Sequence, residues 1–214
     1  MYAPAMLERW ITVTVLGEAI GFGGAMALGR AVVARLGEPT GPLAELYVFG
    51  LSATAGLVEG ACLGLAQWLV LRRIFPRLPL RSWVLATAIG AALAWVLGMG
   101  AGTHGPSEPP PAIVIAVLAI AGGLVLGAVL GAAQALVLRR HSDAGGPWIL
   151  ASAVGWTLGL LFAFAGVALT PEPGASLHNI VVMIFSGAAM AIAPALATGL
   201  VLQQHGLRGL AVRD

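Results

Sequence analysis

Six long apolar runs dominate the chain: Trp10–Gly29, Leu46–Leu71, Trp83–Thr103, Ala112–Leu138, Trp148–Leu169 and Leu177–Leu202. Each holds at least 20 residues, enough to cross a hydrocarbon core of about 30 Å at about 1.5 Å per residue. Glycines, prolines and charges gather in the short breaks between them, as in Gly37–Pro42, Arg72–Arg81, Gly105–Pro111, Arg139–Pro147 and Thr170–Gly174. Nothing in those breaks is long enough for an extramembrane domain, so residues 1–214 read as a single all-α transmembrane domain. Charged residues make up only 9% of the chain, against roughly a quarter in a soluble domain. That composition excludes a soluble enzyme and a disordered chain.

The charges that are present set an orientation. All 11 basic residues are arginine. Arg9, Arg72, Arg73, Arg77, Arg81, Arg139, Arg140, Arg208 and Arg213 fall on the side of the two termini, and Arg30 and Arg35 on the other. The positive-inside rule then places both termini in the cytoplasm of a bacterial inner membrane. The first run is too long for a cleaved signal peptide and belongs to the repeat described next. No basic stripe on a soluble face is available to nucleic acid. The lipid bilayer is the expected partner, with a homo-oligomer or a second membrane protein beside it.

The odd-numbered runs share one pattern. Trp10, Trp83 and Trp148 each open a run, Gly17, Gly90 and Gly155 follow seven residues later, and Gly21, Ala94 and Gly159 come four after those. The even-numbered runs share a longer one. Gly56, Gly60 and Gly64 align with Gly123, Gly127 and Gly131 and with Gly187, Ala191 and Ala195. Gln67, Gln134 and Thr198 come three residues later, and Leu69–Arg73, Leu136–Arg140 and Leu200–Gln204 close each copy. A repeat of about 65 residues that crosses the membrane twice keeps every copy in the same sense. The expected architecture is three helical hairpins, residues 10–73, 83–140 and 148–204, in a pseudo-threefold bundle about the membrane normal. Small residues at i, i+4 and i+8 form a stripe for close helix contact. The glutamine position lies about 20° from the start of that stripe, so Gln67 and Gln134 face protein. The three tryptophans are expected as anchors at the membrane interface.

The segment Ala66-Gln67-Trp68-Leu69-Val70-Leu71-Arg72-Arg73, followed by Trp83-Val84-Leu85-Ala86, resembles a group of bacterial polytopic membrane proteins. Their repeated Gly-rich helices end in a Gln-(Trp)-Leu-Val-Leu-Arg pattern. The resemblance covers most of the chain and brings no activity with it. The third copy departs from the pattern with Thr198, Gln203, Gln204 and a mid-run Pro194.

Polar groups inside the runs are the candidate site: Glu18, Glu59, Gln67, Gln134 and Thr198. An ionised carboxylate at such depth costs about 3 kcal/mol on insertion scales, so Glu18 and Glu59 must face protein or water. They are read either as a proton or cation site, or counter-ion to a ligand, or as protonated carboxyls hydrogen-bonded to a neighbouring helix. Gln67, Gln134 and Thr198 are read either as a polar vestibule or, preferably, as interhelical hydrogen bonds worth about 0.6–2 kcal/mol each. Pro194 either unwinds the last run or is tolerated as a kink.

Cys62 reads as a packing residue. His104, His178, Glu108 and Glu172 share the outer face without a known ligand spacing, and His141 and His205 the inner one. No metal or cofactor is expected. With no nucleophile, phosphate loop or metal motif, no catalytic residue is assigned. The leading expectation is a structural or accessory membrane subunit, and the alternative is a small transporter or channel that uses Glu18 and Glu59.

Overall fold

The computed structural model describes residues 3–37, 43–103, 111–170 and 176–206. It contains six long helices: α1 (Ala3–Leu36), α2 (Ala44–Ile74), α3 (Leu80–Thr103), α4 (Ala112–Leu138), α5 (Gly145–Ala168) and α6 (Leu177–Val201), the last running into a π-helical turn at Leu202–Gly206. The described residues hold no strand. All six helices are long and apolar enough to span a membrane.

The helices reach past the apolar runs because a helix end is set by backbone hydrogen bonds rather than by hydropathy. Thus α1 begins seven residues before Trp10 and continues through Arg30 and Arg35. Helix α5 begins at Gly145, before Pro147, because a proline in the first turn forfeits no hydrogen bond. Pro194 likewise leaves α6 helical from Leu177 to Val201. The Thr198 hydroxyl donates to the Pro194 carbonyl at 2.6 Å, so the proline is tolerated and no unwinding occurs there.

Each helix packs on its neighbours in the chain, and α6 closes on α1, giving a ring in the order α1–α2–α3–α4–α5–α6. Several contacts leave no room for a side chain. A Cβ added at Gly60 on α2 would stand 2.6 Å from the Ala88 Cα of α3, and one at Gly127 on α4 2.6 Å from the Ser152 carbonyl of α5. On the α1–α2 contact, Gly21 faces the Glu59 carbonyl at 2.9 Å from such a Cβ.

Trp10, Trp83 and Trp148 correct the reading of these residues as interfacial anchors. All three are 0% exposed. Trp148 stacks edge-on against Trp10 at 5.7 Å and against Trp83 at 5.9 Å between ring centroids. Together with Met6, Leu71, Leu138 and Leu202 they fill the terminal end of the ring. The physical reason is angular: seven residues turn an α-helix through only about 20° short of two full turns, so each tryptophan shares the face of Gly17, Gly90 or Gly155.

Candidate functional site

Moving from the tryptophan layer into the ring, the side chains of α1 four residues apart are Trp10, Thr14, Glu18 and Phe22, and all four are buried. This spacing stacks them along one helix face. On the other odd helices the same steps give Trp83, Thr87 and Ala91, and Trp148, Ser152 and Trp156, again buried. The interior therefore has levels: aromatic, hydroxyl, carboxyl, then a cavity.

The first polar level is a hydrogen-bond network. Trp148 Nε1 donates to Gln134 Oε1 at 3.0 Å. Gln134 Nε2 donates to Gln67 Oε1 at 3.0 Å and to Thr87 Oγ1 at 3.2 Å. Trp10 Nε1 donates to Thr198 Oγ1 at 3.1 Å. Gln67 and Gln134 thus meet directly, while Thr198 is tied to Trp10. Trp83 Nε1, Thr14 Oγ1 and Ser152 Oγ, all buried, have no partner among the described residues. Sequence reasoning missed Thr87 and the tryptophan N–H groups as members. The available signal was the need of a buried indole for an acceptor.

The second level is the carboxyl pair. Glu18 from α1 and Glu59 from α2 are 0% and 6% exposed, and their carboxyl groups face each other closely enough to interact. Trp95 Nε1 of α3 donates to Glu59 Oε2 at 2.8 Å. Neither Glu18 oxygen has a well-formed hydrogen bond. The structure therefore brings together the two carboxyls that the sequence singled out, and adds Trp95. Trp95 was legible in principle: an indole in mid-span is too deep to be an anchor and needs an acceptor. Cys62 lies one turn beyond Glu59 on α2, half-buried and free.

Beyond the pair, on the side away from the termini, is a cavity of about 250 Å³. Every helix contributes to its wall, through Phe22, Glu59, Trp95, Leu130, Trp156 and Met190 among others. Among the described residues, Glu59 is the one ionisable residue of that wall. A second cavity of about 210 Å³, bordered by Arg30 and Ser52, shares Met26, Trp95 and Met99 with the first. Arg30 reaches from α1 across to the end of α5, where Nη2 donates to the Thr170 carbonyl at 2.8 Å and to Thr170 Oγ1 at 2.7 Å.

His178 is exposed at the start of α6, whereas His104, Glu108 and Glu172 lie outside the described residues. His141 lies 6.3 Å from Phe75 between ring centroids, and His205 Nδ1 is 3.4 Å from Asp143 Oδ1. Among the described residues no group of three or more His, Cys, Asp or Glu side chains is placed to hold a metal ion. Compared with family models, with curated proteins and with solved structures, the chain matches none.

Proposed function

We propose that this is a small bacterial inner-membrane transporter whose substrate site is the cavity and whose coupling group is the Glu18–Glu59 pair. One observation carries the reading: two buried carboxyls close enough to interact inside the ring, one of them on the wall of a cavity about 250 Å³ in volume. Packing alone gives no reason to place two acidic groups together away from water, since each costs about 3 kcal/mol to insert. A transporter needs such a group, because a proton or cation must be taken up and released between them.

The wider architecture in this reading is three hairpins, 10–73, 83–140 and 148–204, about a pseudo-threefold axis, with both termini cytoplasmic. Supporting it, Trp10 bonds to the even-helix residue Thr198 and Trp148 to Gln134, two equivalent pairs by the repeat. The glycines of α2 and α4 also meet α3 and α5 through matching positions, Gly60 on Ala88 and Gly127 on Ala153. Such close approach is how helices associate where lipid removes the hydrophobic drive. The resemblance to Gly-rich bacterial polytopic proteins belongs to the same proposal.

The accessory-subunit reading has its own support. The bonds of Gln67, Gln134 and Thr198 are of the kind that holds helices together, and so is the Trp95–Glu59 bond between α3 and α2. Proteoliposomes with an entrapped pH dye decide between the two. Wild type is expected to carry proton-linked flux when a panel of cationic, neutral and anionic organic solutes is presented. Glu18→Gln with Glu59→Gln is expected to abolish it. Equal flux in both proteins defeats the transport reading, and a fixed-stoichiometry partner in native mass spectrometry would then establish the subunit.

A further inference from the structure

We infer that the cavity binds a small monovalent organic cation, a quaternary or tertiary ammonium with an apolar body. This rests on the reading of the cavity as a substrate site and names the class of substrate. The wall excludes the other classes by its chemistry. A hard inorganic cation such as Ca²⁺ takes about 6–8 oxygen ligands, and this wall supplies a carboxyl and an indole N–H among apolar side chains. An organic anion would meet Glu59 with Glu18 behind it. A proton alone would satisfy the carboxyl pair and leave the partly open cavity of about 250 Å³ without a role.

An ammonium with an apolar body satisfies both halves of the site. The positive end meets the Glu59 carboxyl on the wall, with the buried Glu18 carboxyl behind it. Aromatic side chains line the same cavity. Phe22 and Trp95, 6.2 Å apart between centroids and tilted by 41°, line the cavity together with Trp156, and rings of this kind attract a cation. The indole N–H of Trp95 is held by Glu59, so ring and carboxyl present themselves together. Leu130, Trp156 and Met190 line the remainder. At about 30 Å³ per water-sized unit, this volume holds roughly eight such units, room of the order of a phenyl ring with one alkylated nitrogen.

The probe is benzyltrimethylammonium, titrated calorimetrically into the full chain in lipid nanodiscs. Benzyl alcohol and phenylacetate serve as its neutral and anionic counterparts. One saturable site per chain is expected, with neither counterpart competing. Glu59→Gln is expected to weaken binding roughly 30-fold or more, the effect of removing one side of a buried charge pair. Ala94→Phe fills the cavity while keeping both carboxyls, and is expected to abolish binding even if the Glu59 variant fails to assemble. The inference is overturned by no saturable binding to wild type, by binding unchanged in Ala94→Phe, or by equal competition from benzyl alcohol or phenylacetate. Binding without flux would defeat the transport reading and leave this inference standing. Flux of another solute class, with no binding of the probe, would do the reverse.

Discussion

Trp10, Trp83 and Trp148 occupy one layer and are equally buried, yet their ring N–H groups are not equally served. Trp10 and Trp148 have acceptors in Thr198 and Gln134, and Trp83 has none among the described residues. Phenylalanine keeps most of the ring and removes the N–H. Trp10→Phe and Trp148→Phe are therefore expected to cost about 1 kcal/mol each, the usual worth of an interhelical hydrogen bond. Trp83→Phe forfeits no bond and is expected to fall near zero. Thermal unfolding in detergent measures the three; equal losses would show that ring volume alone sets their contribution. At this scale the sequence was partly readable. Glu18 and Glu59 stand out because formal charge is rare in mid-span, and no tertiary knowledge is needed to see it. The tryptophans were misplaced because a residue at a span's edge satisfies both the anchor rule and the core. The angle from Trp10 to Gly17, about 20°, separates those cases, and linear position does not.

Between elements the glycines divide sharply by surroundings. A Cβ at Gly60 would strike the α3 backbone at 2.6 Å, whereas one at Gly122 would meet nothing within 4 Å. Gly60→Ala is expected to destabilise the α2–α3 contact by about 1–3 kcal/mol, as overpacking does. Gly122→Ala should be neutral or stabilising by up to about 1 kcal/mol through helix propensity. Chemical denaturation monitored by circular dichroism tests both, and a loss at Gly122 equal to that at Gly60 would contradict the packing. A second tie is polar. Arg30 joins α1 to the end of α5, two helices that are not neighbours in the ring. Arg30→Met keeps much of the stem and removes the bonds to Thr170. The expected loss is about 1–3 kcal/mol, with faster hydrogen exchange at Val167 to Thr170. The spacing of Gly56, Gly60 and Gly64 made the stripe visible in the sequence. Which helix it meets, and that Arg30 crosses the ring, depend on ring closure, which no single helix encodes.

For the whole molecule, the decisive asymmetry is that the tryptophan layer fills the terminal end of the ring while the cavity occupies the opposite half. If the arginine distribution places the termini in the cytoplasm, the cavity is served from the outer face and the tryptophans are the inner barrier. Cys62 is the single cysteine, so Cys62→Ser gives a thiol-free background. In it, Met26→Cys puts a thiol on the wall shared by both cavities. Ser152→Cys puts one at a fully buried position beside the tryptophan layer. With a membrane-impermeant thiol reagent on intact cells, Met26→Cys is expected to react and Ser152→Cys to stay unmodified. On inverted vesicles neither should react. Protection of Met26→Cys by benzyltrimethylammonium would tie access to occupancy of the cavity. Modification of Met26→Cys only in inverted vesicles would reverse the orientation without touching the fold. Modification of Ser152→Cys from the terminal side alone would mean that the three tryptophans open, and that the closed ring is one of two states through which such a transporter must pass.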